Sequence, residues 1–276
     1  ETKQAAQAKL AKFRSKVGYP DRWKDYSAVS LTANDLVGNL RRTRAFAHDF
    51  DAAKLGKPVD RDEWFTTPQT VNAYYQPTAN DITFPAAILQ PPFFDPTADD
   101  AYNYGSIGSI IGHEFSHGFD DQGRKFDGEG RLRDWWTAAD TVQYTDRTKR
   151  LVARYDSFRP LPNFSVNGQL TLGENIADLA GLVMARRAWQ LSLKGKEPPV
   201  IDGFTGEQRL FIGYGIAHRG IYRPQRQQSL LLSDPHSPDE YRVTGVVPNL
   251  ADFYAAFSIQ PGDKMYLAPE QRVEIW

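Results

Sequence analysis

A chain of 276 residues, 41% hydrophobic and 24% charged, can bury a substantial core as one large domain or two small ones. Its 33 Lys and Arg against 34 Asp and Glu leave no global field favouring nucleic acid or an anionic membrane, and no apolar run reaches the roughly 18 residues of a membrane segment. With no cysteine, disulfides and thiolate metal sites are excluded; the compartment stays open, a bacterial periplasmic or secreted location being favoured over the cytoplasm.

In chain order, Glu1-Thr2-Lys3-Gln4 is neither an initiator methionine nor the start of a signal peptide, so the chain is expected to begin inside its gene product. Residues 1–17 have apolar residues at helical intervals and read as the tail of a helix ending before Gly18-Tyr19-Pro20. A second helix is expected over residues 31–54, with Leu31, Leu36, Leu40 and Phe46 facing inward, and a break at Gly56-Lys57-Pro58. Between residues 71 and 89, β-branched and aromatic residues interrupted by Gln76-Pro77 and Asn80-Asp81 predict two short strands joined by a turn. Further helices are expected over 138–156, 174–194, 206–221 and 249–257, with Pro198-Pro199 and residues 235–238 as connections.

Residues 104–119 carry Gly105, Gly108 and Gly112 into a histidine-bearing helix, a series that implies a second backbone packed closely against it. The spacing matches neither a Walker sequence nor a dinucleotide fingerprint. Residues 113–117 read His-Glu-Phe-Ser-His, so His113 and His117 lie one above the other on a helix face, where two imidazoles can converge on one metal ion. Glu174 and Asp178, also four apart, supply a second face: Glu174 as third ligand and Asp178 as a hold on a ligand histidine's other ring nitrogen. Two histidines and one carboxylate is the ligand count of hydrolytic zinc, which keeps a position open for water. Glu114 then has the task of accepting the water's proton and returning it to a leaving amine, which is peptide hydrolysis. Among the remaining histidines, His48 reads as a surface residue. His236, beside Asp234 and six residues before Arg242, is a candidate donor to the developing oxyanion, although a satisfied loop histidine is equally compatible with that pattern.

Taken together, Val71-Asn72-Ala73-Tyr74-Tyr75, Phe84-Pro85-Ala86-Ala87-Ile88-Leu89-Gln90-Pro91-Pro92-Phe93-Phe94, Gly112-His113-Glu114, Phe119-Asp120-Asp121, Asp134-Trp135-Trp136, Leu172-Gly173-Glu174-Asn175-Ile176-Ala177-Asp178, Tyr222-Arg223-Pro224 and the terminal Trp276 resemble the C-terminal part of the neprilysin and endothelin-converting enzyme family of zinc metallopeptidases. The resemblance implies an α+β, predominantly helical, zincin-like (thermolysin-like) catalytic domain with one small sheet. It implies one zinc ion on His113, His117 and Glu174, Glu114 as base, Asp178 supporting a ligand, His236 as transition-state stabiliser, and Arg242 as a donor to the substrate carbonyl beyond the scissile bond. Asn72 and Ala73 match the edge that pairs with substrate backbone, and Ile88, Phe93, Ser109, Ile110 and His218 are the other candidate substrate contacts. His218 stands where the family usually carries tryptophan, and Ser109 where a larger apolar residue is common, changes that imply a more polar, roomier pocket after the cleaved bond.

Family members also have a preceding helical lobe. Residues 1–60 are accordingly expected to link to it and residues 61–276 to form the catalytic domain, with the N-terminal half held as a separate chain and Trp276 as the natural C-terminus. The expected activity is endopeptidase cleavage of oligopeptides. A catalytically inactive peptide-binding scaffold and an exopeptidase are the alternatives, the first opposed by the intact His113, Glu114, His117 and Glu174.

Overall fold

The computed structural model describes residues 1–275; Trp276 and the expectation attached to it lie outside the described residues. In chain order the elements are α1 (Thr2–Leu10), β1 (Arg14–Gly18), α2 (Leu36–Ala52), β2 (Tyr74–Gln76), β3 (Asp81–Pro85), α3 (Asp100–Asn103), α4 (Ser109–His117), α5 (Ala138–Asp156), α6 (Leu172–Ser192), α7 (Gly206–Ala217), α8 (Pro224–Ser233), α9 (Asp239–Thr244) and α10 (Ala251–Phe257). A π-helical turn at Tyr104–Gly108 joins α3 to α4. The result is a mostly helical α+β fold with a single three-stranded sheet among the described residues. Among the described residues no helix is long and apolar enough to cross a membrane.

The helices follow from local chemistry. Helix α5 buries Tyr144, Thr148, Leu151 and Tyr155 at helical spacing, and Thr137 caps it by accepting from the Asp140 amide. Helix α7 opens on a reciprocal capping box between Thr205 and Gln208. Helix α6 buries residues nearly all round, including Ile176, Leu179, Leu182 and Trp189, and so runs through the core. Around it gather Leu151 and Tyr155 of α5, Leu210 and Tyr214 of α7, and Val246 and Val247.

Helices α4 and α6 cross almost backbone to backbone. A Cβ at Gly112 would lie 2.6 Å from the Gly181 carbonyl oxygen, and one at Gly181 would lie 2.6 Å from both the His113 amide and the Ser109 carbonyl. The expected close packing at Gly112 is therefore present, and its counterpart is Gly181. Gly105 serves the same purpose against α7, where a side chain would overlap the Leu210 carbonyl.

Two expectations are corrected. The helix expected through residue 17 ends at Leu10, and residues 14–18 pair parallel with β3 to give strand order β1-β3-β2. Across this pairing Lys16 Nζ forms a buried ion pair with Asp81 Oδ2 at 2.7 Å. Helix α2 forms where expected but buries none of its residues, and Leu31, Leu36 and Leu40 are exposed rather than inward. The strands expected within 71–89 are β2 and β3, antiparallel, with Tyr75 opposite Ile82. Their apolar side, with Ala73, Ile82, Phe84 and Ile88, packs a second cluster against Ile107, Ile110 and Phe115.

Candidate functional site

The α4–α6 crossing brings both acidic and imidazole pairs to one point. His113 and His117 on α4 turn their Nε2 atoms to within 2.9 Å of each other. Glu174, in the first turn of α6, places Oε2 at 3.1 Å from His113 Nε2 and 3.6 Å from His117 Nε2. Ligand atoms of these three residues all lie within 4.8 Å of one another, so they could hold a metal ion.

The other ring nitrogens decide what those atoms offer. His113 Nδ1 lies 2.8 Å from Asp178 Oδ1, and His117 Nδ1 lies 2.7 Å from Asp120 Oδ2. A carboxylate at Nδ1 fixes the proton there and leaves a lone pair on Nε2. Two such lone pairs and a carboxylate oxygen then converge, with Glu174 Oε2 buried among His113, His117 and His236. Two nitrogens and one oxygen form a donor set that suits zinc. The same geometry attracts protons: burial opposes the charged form of His117, but Asp120 and Glu174 raise its pKa well above the usual imidazole range. Burial likewise opposes ionisation of Glu174, and the three surrounding histidines hold it well below the usual carboxylate range.

Asp178 is buried and serves two partners. Arg242 donates to it through Nε at 2.8 Å and Nη2 at 2.7 Å, while His113 takes the same Oδ1. Burial would raise its pKa, yet Arg242 overrides that and keeps the carboxylate ionised. Tyr214 donates to the Arg242 carbonyl at 2.8 Å and fixes the base of α9. Asp178 takes Nε–H and one N–H of Nη2, so other N–H groups of the guanidinium, those of Nη1 among them, can serve a further acceptor.

Glu114 follows His113 directly on α4, is 5% exposed, and has an Oε2 with no hydrogen-bond partner among the described residues. Burial raises its pKa against the pull of His113 and His117. His236 enters from the loop before α9: Asp234 Oδ1 accepts from its amide at 2.9 Å and lies 2.8 Å from Nδ1, and Nε2 stands 3.2 Å from Glu174 Oε2. Burial disfavours its cation, but Glu174 and Asp234 raise its pKa overall. Ser237 anchors the loop by donating to Asn175 Oδ1 at 2.7 Å, and Asn175 donates onward to Thr171 at 2.9 Å.

His113, Glu114, His117, Asp120, Glu174, Asp178, His236 and Arg242 line a cleft of about 660 Å³ that also takes in Asn72, Ala73, Ile88, Phe93, Ser109, Ile110 and His218. All residues singled out in the sequence therefore meet in one place, with Asn72 and Ala73 immediately before the outer strand β2. Enclosure in the cleft wall, with the Arg242 cation nearby, pushes the His218 pKa down to about 3. Sequence reasoning gave no role to Asp120, although its position three residues after His117 is a local signal. It gave none to Ser237 or Asn175 either, whose contact spans 62 residues and has no local signature.

Residues 72–273 match the sequence pattern of peptidase family M13. The whole chain aligns with endothelin-converting enzyme 1 of Mus musculus at 37% identity and with neprilysin-1 of Caenorhabditis elegans at 38%. It spans only 37% and 38% of those relatives' lengths. Among solved structures, Mycobacterium tuberculosis zinc metalloprotease ZMP1 in complex with an inhibitor superposes over the whole chain with a TM-score of 0.97 at 54% identity, and 43% of that protein is covered.

Proposed function

The chain belongs to peptidase family M13, and on that premise we propose that it is the catalytic part of a zinc-dependent endopeptidase acting on oligopeptides, with one zinc ion held by His113, His117 and Glu174. The observation that carries this reading is the convergence of three lone-pair atoms at one point, with both distal imidazole nitrogens tied to carboxylates. Bound zinc supplies a Lewis acid that polarises a carbonyl and acidifies water.

The chain's own residues divide the remaining work. Glu114, with its proton affinity raised by burial, takes the proton of the attacking water and hands it to the departing amine nitrogen. His236, favoured in its cationic form by Glu174 beside Nε2 and Asp234 at Nδ1, presents Nε2–H to the oxygen that gains charge in the transition state. Asp178 and Asp120 keep His113 and His117 in the tautomer that binds metal. Arg242 neutralises Asp178 and offers Nη1 to the substrate carbonyl beyond the scissile bond. Asn72 and Ala73, ahead of an outer strand, pair with the substrate backbone as an added strand. Ile88, Phe93, Ser109, Ile110 and His218 shape the side-chain pockets. Residues 1–60 would meet a preceding helical lobe, held as a separate chain, while residues 61–276 perform the chemistry.

Metal analysis and hydrolysis of an internally quenched peptide blocked at both ends test the proposal. Wild type is expected to bind one zinc and cleave, and Glu114→Gln to keep the zinc while losing about 10³-fold or more in rate. A zinc-loaded wild type that leaves the peptide intact would support a scaffold instead, and cleavage confined to peptides with free ends would support an exopeptidase.

A further inference from the structure

Lys9 lies on α1, far in sequence from every residue of the site, yet it is only 2% exposed. Its ammonium donates to three carbonyls: Gly118 at 2.6 Å, Gly123 at 2.8 Å and Phe126 at 2.8 Å. All three of its N–H groups are thereby used. Phe119, Tyr75 and Trp135 surround the charge, with ring centroids 5.4, 5.7 and 5.9 Å away. Three converging carbonyls inside an aromatic wall resemble the seat of a bound cation, filled here by a side chain.

The segment so gripped is the one that leaves α4 and carries Asp120. Asp120 holds His117 through Oδ2, and its Oδ1 accepts from the amides of Gln122 at 2.9 Å and Gly123 at 2.6 Å. Gly123 is therefore fixed on both sides, its N–H by Asp120 and its carbonyl by Lys9. The loop folds back so tightly that a side chain at Gly123 would overlap the His117 carbonyl. Lys9 is itself anchored, because its own carbonyl accepts from buried Asn80, whose side chain also bonds Gly128 and Tyr75.

We propose that Lys9 is a positioning residue for the metal centre: its ammonium shapes the 118–126 loop so that Asp120 holds His117 in its ligating orientation. The inference rests on the zinc reading above for its consequence, but the clamp itself does not need metal to be measured. In metal-free wild type, the Gln122 and Gly123 amides should exchange as slowly as those of α4, and Lys9→Met should release them while α6 stays protected. Exchange of these two amides at open-loop rates in wild type overturns the proposal, and that measurement requires no variant to fold.

With zinc bound, transfer of the ion to a chelator should be about 10- to 100-fold faster in Lys9→Met, the range typical when a ligand's supporting partner is lost. Asp120→Asn should do the same, and the double variant should be no worse than Asp120→Asn alone, because both act on His117 through one route. Additive effects, or a Lys9→Met protein that melts earlier but releases zinc at the wild-type rate, would mark Lys9 as merely structural. A wild type that takes up no zinc defeats the metal reading, while amide exchange still decides the clamp.

Discussion

At the scale of single residues, His218 bears most directly on what the cleft would accept. Its ring stands against Tyr214 with centroids 4.6 Å apart, and a pKa near 3 keeps it neutral at any ordinary working pH. A neutral imidazole is smaller than the tryptophan that the family resemblance leads one to expect here, and offers a donor and an acceptor. We therefore expect tolerance of varied, including polar, residues after the cleaved bond, with the pattern unchanged between about pH 5 and 8 because the ring does not titrate there. His218→Trp should shift kcat/KM by about tenfold toward bulky apolar residues, on the scale of pocket-filling discrimination. A peptide library in which wild type already demands Phe or Leu would contradict this. The metal-binding candidates were legible in the sequence because their function requires helical spacing, which is local. Asp120 was within local reach of His117, whereas Asn175, Ser237 and Lys9 act through partners that only the folded chain brings near; the Lys9 contacts span more than a hundred residues.

At the scale of elements, the site depends on how closely α4 and α6 approach. Gly181→Ala would press a methyl group against the His113 amide and the Ser109 carbonyl, both backbone atoms with no rotamer to move. The helices must separate, at a cost of about 1–3 kcal/mol for overpacking, and Glu174 moves away from His113 and His117. Thermal melting should fall by roughly 2–12 °C, at about 2–4 °C per kcal/mol for a protein near this size, and zinc should bind more weakly. Gly215→Ala on α7, where a Cβ meets nothing within 4 Å, is the control and should be neutral or slightly stabilising. Equal melting temperatures and zinc affinities for the two variants would remove the crossing from the account. The sequence announced this packing on the α4 side through Gly112, whereas Gly181 is one small residue among many in a buried helix. Strand β1 was missed for a different reason. Arg14, Ser15, Lys16 and Val17 carry little strand propensity or alternation, and pairing with β3 and the Lys16–Asp81 ion pair override it.

At the scale of the whole molecule, apolar surface is unevenly shared. Helix α2 holds its own ends, with Asp35 capping the Gly38 amide, yet buries no residue, and Leu36 and Val37 are 72% and 62% exposed. Tyr19, Trp23 and Leu31 are exposed as well. Only Phe46 and Phe50 of the apolar positions of α2 find cover, from Tyr26 and Lys24; such a helix is marginal by itself, and exposed apolar surface on this scale marks an interaction face. A helical lobe supplied as a separate chain would cover it. Without such a cover, a net charge of −1 provides little repulsion between copies. The chain alone should therefore bind an apolar dye and sediment with a weight that rises with concentration. Leu36→Glu with Leu40→Glu should reduce both effects without altering zinc binding, because α2 takes no part in the cleft lining. A monomeric, dye-negative chain would mean that this face is compatible with water as it stands, and residues 1–60 would lose their reading as a link to another lobe.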